Sequence, residues 1–174
     1  MIGSQLKEHG IVKEVSGEFV AKASQLLRER ISTLTEAVQE LKEMLTFDLE
    51  EMMKKEVAQP YIEDGSIKET AELLLEAQAE GQFDAIGSDP KAMQKVAKHI
   101  GKARGGVKKK ALIVPLRLCL TSQAAGPDMN LFFEMLKEVN DNVLCECVSL
   151  EKRLSMLKEK FLEQPVSASP LSNT

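Results

Sequence analysis

Apolar residues recur every three or four positions along most of the chain and almost nowhere alternate. Between 17 and 31, Phe19, Val20, Ala23, Leu26, Leu27 and Ile31 share one stripe, with Lys22, Arg28 and Glu29 off it. This is the mark of an amphipathic helix with one buried face. Thr33-x-x-Glu36 has the form of a capping box and predicts a second helix carrying Leu34, Val38, Leu41 and Leu45, with a bend around Ser32. Asp48 is placed to cap a short helix over 49–58, which ends near Pro60 because the residue before a proline is pushed out of helical backbone. Tyr61 to Ser66, with Asp64-Gly65, reads as a loop. A helix over 66–80 carries Leu73, Leu74 and Leu75 and stops at Gly81, a residue suited to the left-handed backbone beyond a helix end.

The second half opens on Ser88-Asp89-Pro90, a strong helix start with proline in the first turn. That helix buries Met93, Val96, Ala97 and Ile100 and ends at Gly105-Gly106. A triple-lysine loop, Lys108 to Lys110, follows, and Pro115 reopens a helix over 115–124. Gly126-Pro127-Asp128 punctuates, and Leu131, Phe132, Met135 and Leu136 form the next stripe. A last helix over 140–162 places Val143, Leu144, Cys147, Leu150, Leu154, Leu157 and Phe161 on one side. The reading is all-α, with two packed helical subdomains over 1–81 and 82–163 and a soft boundary at Gln82 to Gly87. The Ser/Pro-rich tail, 164–174, is expected to be disordered.

Composition narrows the functions. Aromatic residues make up 4 % of the 174, with no Trp and one Tyr, Tyr61, which disfavours an aromatic base-stacking surface. No apolar run approaches the roughly 20 residues of a membrane span. The three cysteines are too few and odd in number for a disulfide framework. Cys145-x-Cys147 on a helix points its side chains about 200° apart with no histidine near, so no metal site is expected. The net charge of −4 speaks against a polyanion partner, but its distribution speaks for one. Nine basic residues and no acidic one lie between Lys91 and Pro127, while the remainder of the chain balances to −13. A polyanion would be steered to that one region.

No catalytic constellation is visible, and no cofactor is implied. His99-Ile100-Gly101-Lys102 nearly spells the HIGH signature of class I aminoacyl-tRNA synthetases. It ends an amphipathic helix, however, instead of following a strand, and its last position is lysine. A Gly-rich phosphate loop, a G-x-S-x-G elbow and an H-E-x-x-H pair are all missing.

The stretch from Gly106 to Leu136, GVKKKALIVPLRLCLTSQAAGPDMNLFFEML, resembles the C-terminal signature of bacterial and organellar glutamyl-tRNA synthetases. Gly106, Val107, Lys108, Lys110, Leu112, Pro115, Leu116, Arg117, Leu120, Thr121, Gly126 and Pro127 stand at matching places. Upstream, Leu26 to Glu36 is similar to a second family helix, with Arg30 as the matching arginine. The resemblance covers about residues 5 to 160. It implies a helical-cage anticodon-binding domain, two helical subdomains that hold a tRNA anticodon loop while a separate Rossmann domain, absent here, activates glutamate. The sequence departs from the pattern at Ser122 (usually Gly), Ala125 (often His) and Val114 (usually Met).

On this resemblance the RNA-binding candidates are Arg30, Lys102, Arg104, Lys108, Lys109, Lys110, Arg117 and Thr121. Lysines neutralise phosphates, and a planar guanidinium reads or stacks on an unpaired base. For Arg117 a structural pairing is the alternative, and for Thr121 a helix-closing role. The expected partner is tRNA, specifically tRNA-Glu. The expected compartment is a bacterial cytoplasm or else a plastid or mitochondrion, because eukaryotic cytosolic relatives read the anticodon with β-barrels. Two other readings stay open. One is a stand-alone interaction module that has lost RNA and docks a protein through the helix over 140–162. The other is an active synthetase, which needs a catalytic portion upstream.

Overall fold

The computed structural model describes residues 2–28 and 33–163. Arg30, Ile31, the bend at Ser32 and the tail 164–174 lie outside the described residues. The helices in chain order are α1 (Ile2–Glu8), α2 (Glu18–Leu27), α3 (Leu34–Thr46), α4 (Leu49–Lys54), α5 (Gln59–Glu63), α6 (Ser66–Ala79), α7 (Ala92–Ala103), α8 (Lys109–Thr121), α9 (Met129–Leu136) and α10 (Leu150–Lys158), the last running into a π-helical turn, Glu159–Glu163. Among the described residues the only β pairing is one bridge between Val12 and Val143. The fold is all-α, as the periodicity implies.

The stripe residues are the core. Phe19, Val20, Ala23, Leu26 and Leu27 of α2 are buried, as are Val38, Leu41 and Leu45 of α3 and Met93, Val96 and Ile100 of α7. One continuous apolar cluster joins them to α6, α8 and α9. The central helix α6 packs against α7, α8 and α10, while α2 packs against α9 and α1 against α3. Elements from both sides of residues 82–87 therefore share one interior.

Several boundaries differ from the sequence reading, each for a local reason. Thr33 does stand at the start of α3, but its side chain makes no capping bond. Asp48 caps α4 through the Glu51 N–H at 2.9 Å, yet α4 ends at Lys54 and not at 58. Pro60 opens α5 instead of closing the previous helix, the first-turn position where a missing N–H costs nothing. Tyr61 to Glu63 is accordingly helix and not loop. Helix α8 begins six residues before Pro115, so the lysines form its cap and first turn and Ala111 to Val114 is helical.

The largest correction concerns the helix expected over 140–162. Residues 140–149 are not helical. Short polar side chains compete with the helix for backbone partners there. Asn140 Oδ1 accepts the Asn142 N–H at 2.9 Å, and Asn142 Nδ2 donates to the carbonyls of Glu14 and Ser16, each at 2.9 Å. Ser149 then caps α10 through the Lys152 N–H. Leu144 is 57 % exposed as a result, whereas Leu154 and Leu157 of α10 are spent on the chain's own core. The part of the stripe that is helical therefore packs on the chain itself through Leu154 and Leu157, and no continuous helical face over 140–162 is presented to a partner protein.

Candidate nucleic-acid interface

Helix α7 ends at Gly105 and Gly106, with φ of 74° and 77°. An L side chain is strained in that left-handed region, so the pair lets the chain reverse sharply into α8. The Gly106 N–H closes the turn on the Gly101 carbonyl at 2.8 Å. This reversal brings Lys102, in the last turn of α7, to the same corner as Lys108, Lys109 and Lys110 at the start of α8. All four lysines are exposed and form no ion pair with any described residue.

The placement is unfavourable without an anion. A helix N-terminus carries about half a positive charge and unsatisfied N–H groups. No side chain caps α8, and its first residues add like charge to the positive end. Lysines around a helix N-terminus suit phosphate, which relieves the repulsion and accepts the free N–H groups.

Arg104 lies beside this corner but turns inward, its side chain 6 % exposed. Nε donates to Glu69 Oε2 at 2.8 Å, Nη2 to Ser66 Oγ at 3.0 Å and Nη1 to the Ala111 carbonyl at 2.8 Å. The last bond has a specific cause. Pro115 has no N–H to give the carbonyl four residues back, which is that of Ala111, and Arg104 supplies the missing donor. Arg104 thus ties α6, α7 and α8 together and allows a proline inside α8.

Arg117, also on α8, is half-buried, and its Nη2 donates to the Pro127 carbonyl at 2.7 Å. A Cβ at Gly126 would stand 3.1 Å from Arg117 Nη1, so the glycine makes room for the guanidinium. The Pro-Leu-Arg and Gly-Pro portions of the sequence signature are therefore one structural unit. Arg117 also lines a groove of about 180 Å³ between α7, α8 and the start of α9, together with Met93, Lys109, Ile113 and Asn130.

Thr121 is fully buried. Its hydroxyl donates to the Arg117 carbonyl at 2.9 Å, with the Gln123 carbonyl at 3.4 Å, and closes α8. Ser122 follows with φ of 59°, which explains why glycine suits that place in the signature. Its carbonyl accepts Lys55 Nζ at 2.9 Å. Of the sequence candidates, the fold gathers Lys102, Lys108, Lys109 and Lys110 on one surface with Arg117 in the adjoining groove. It turns Arg104 and Thr121 inward, and Arg30 lies outside the described residues.

Sequence reasoning missed Arg153. This residue of α10 is completely buried and meets backbone carbonyls instead of a carboxylate. Nε donates to Val148 O at 2.7 Å, Nη1 to Leu120 O at 2.6 Å, and Nη2 to Met44 O at 2.6 Å and Leu45 O at 3.2 Å. Its guanidinium carbon lies 4.8 Å from the Phe47 ring centre and 5.2 Å from that of Phe132. The Met44, Leu45 and Leu120 carbonyls belong to the C-terminal turns of α3 and α8, the negative ends of both helix dipoles. Burial pulls its pKa down to about 9, so it keeps its proton at neutral pH. The available signal was position, since Leu150, Arg153, Leu154 and Leu157 share one face of α10.

A family model described as an anticodon binding domain matches residues 4–139, a span that includes the lysine corner, the Arg117 groove and α2 to α9. No solved structure matches the chain.

Proposed function

The chain belongs to the anticodon-binding domain family, and from that premise we propose that it is the tRNA-binding module of a glutamyl-tRNA synthetase, holding the anticodon arm of tRNA-Glu. The observation that carries this reading is the surface made by Lys102, Lys108, Lys109 and Lys110 at the uncapped start of α8. Phosphates along one strand of the arm neutralise the lysines. An unpaired base enters the groove beside Arg117, whose planar guanidinium, held in place by the Pro127 carbonyl, offers a face for stacking. The surrounding acidic surface repels RNA elsewhere and so fixes orientation. The module supplies binding, and aminoacylation belongs to a synthetase catalytic domain that it supports. On the same reading the protein works in a bacterial cytoplasm or in a plastid or mitochondrion.

The test is a titration with tRNA-Glu and a non-cognate tRNA between about 50 and 200 mM salt, repeated with Lys108, Lys109 and Lys110 all changed to Ala. Cognate preference is expected. The triple variant should bind more weakly, with a log–log salt slope shallower by about two to three, since each phosphate-contacting lysine contributes about one. Absence of binding at the lowest salt would overturn the RNA reading. Binding of equal strength to both tRNAs would remove the glutamate assignment while leaving an RNA-binding module.

A further inference from the structure

Cys145 and Cys147 lie in the extended segment between the Asn140–Asn142 turn and α10, with their Sγ atoms 3.7 Å apart. Both are half-buried free thiols. The segment is clamped at each end: the Leu144 N–H donates to the Ile11 carbonyl at 2.8 Å, and the Val148 N–H to the Leu45 carbonyl at 2.9 Å. The backbone therefore holds the two sulfurs together, whereas a helix would point them apart.

The surroundings distinguish the two thiols. The Cys147 thiol donates to the Cys145 carbonyl at 3.5 Å and lies against the Cys145 sulfur; contact with Cys147 holds Cys145 below the ordinary thiol range against the opposing effect of burial, and Lys42 adds to the lowering. The same contact, with burial, raises Cys147, on which Arg153 acts in the opposite direction and Glu146 in the same one. With the Cys147 proton directed at the Cys145 carbonyl, Cys145 is the sulfur free to act as thiolate and Cys147 its protonated neighbour. Cys119 differs from both: fully buried, it donates to the Ile67 carbonyl and its thiol is pushed up to about 12.

We propose that Cys145 and Cys147 form a redox-active dithiol that closes to an intrachain disulfide by exchange with a low-molecular-weight disulfide such as oxidised glutathione. Cys145 gives its proton to water, its thiolate attacks one sulfur of the small disulfide, whose S–S bond breaks, and the first glutathione leaves as a thiolate that takes a proton back from water. Cys147 then attacks the Cys145 sulfur of the mixed disulfide. The second glutathione leaves with the Cys147 proton. Two protein thiols are oxidised and one small disulfide is reduced to two thiols. Closure needs the sulfurs to approach from 3.7 Å to about 2.0 Å, a movement within one short segment.

The experiment treats the reduced full chain with oxidised glutathione under native conditions, quenches by alkylation and reads intact and peptide masses. The wild type is expected to lose the mass of two hydrogens, to retain no glutathione and to lose alkylation at Cys145 and Cys147 only, with dithiothreitol restoring both. Cys147→Ser is expected to accumulate one glutathionyl group on Cys145, and Cys145→Ser to react far more slowly. Wild-type protein that keeps both thiols alkylatable, holds a stable glutathione adduct or forms a disulfide to Cys119 would overturn the proposal. A faster reaction in Cys145→Ser than in Cys147→Ser would overturn the roles given to the two sulfurs.

Discussion

Replacing Arg153 with Met removes every donor that its guanidinium supplies and nearly preserves volume. The carbonyls of Val148, Leu120, Met44 and Leu45 then lie in the core short of partners. An abandoned buried acceptor costs about 1–3 kcal/mol. Leu45 O keeps the Val148 N–H, so three carbonyls carry most of the loss. Relief of the desolvation of a buried charge offsets part of it, leaving about 3–5 kcal/mol. That is a large fraction of the roughly 5–15 kcal/mol that holds a typical domain together. Arg153→Lys keeps the charge, but a point-like ammonium cannot span the ends of α3 and α8 together with Val148, so about half the loss is expected to remain. Urea unfolding followed by circular dichroism measures both variants. In heat the Met variant should unfold about 6–20 °C lower, at about 2–4 °C per kcal/mol for a chain of this size. Buried ion pairs replaced by apolar residues are often neutral or stabilised, but there both charges leave together, whereas here the carbonyls stay behind. A Met variant within about 1 kcal/mol of wild type would refute the view that Arg153 is required as a donor.

Three further outcomes are expected. Arg104→Met should destabilise the wild type by about 1–3 kcal/mol, and by about 1 kcal/mol less when Pro115 is Ala, because the restored N–H can serve the Ala111 carbonyl; a double-mutant cycle in urea with no coupling would break that link. Ser122→Gly should raise stability by about 0.5–1 kcal/mol by relieving the left-handed backbone, and a lowered melting temperature would count against it. The Asp64 carboxyl is held below its ordinary 3.8 by Ser66, and that of Asp89 by Lys95 and the Lys91 N–H. Their folded values are depressed, so their contribution is full above 3.8 and is lost as pH falls through the lower folded values. Carboxyl titration by NMR should show both midpoints below 3.8, and the Asp64→Asn, Asp89→Asn double variant should lose less stability in acid than the wild type.

Helix faces were legible in the sequence because burial imposes a period: Phe19, Val20, Ala23, Leu26 and Leu27 of α2, Val38, Leu41 and Leu45 of α3, and Met93, Val96 and Ile100 of α7 lie in the core as read, with Leu34 and Ala97 half-buried at its edge. Helix ends were less legible because they depend on partners remote in sequence. Nothing local announces that Asn142 will bond Glu14 and Ser16 and so hold 140–149 out of a helix. Pro115 looked like a helix start because a proline costs least there. It sits mid-helix because Arg104, eleven residues earlier in the chain, replaces the lost donor. Arg153 was hidden for a related reason: an arginine on an apolar stripe looks like a break in the pattern until two helix ends and three aromatic rings close around it.

The basic segment shows why composition found the candidate surface but could not divide it by role. Charge counting treats Arg104, Arg117 and the lysines alike, yet an arginine that satisfies carbonyls with a planar fork can be buried, as Arg153 is without any carboxylate and Arg104 is with Glu69 as one of its three partners. A lysine has no such fork and is rarely buried unpaired. The arginines of this region therefore brace the fold, with Arg117 doing so at the edge of a groove, while Lys102, Lys108, Lys109 and Lys110 remain on the surface. Lysine substitutions should accordingly change RNA affinity and its salt dependence with little effect on unfolding, whereas Arg104 substitutions should change unfolding first. Measuring both quantities on both sets separates the binding surface from its support, and a Lys108–Lys110 variant that lost stability as Arg104→Met does would show that the lysines, too, are part of the scaffold.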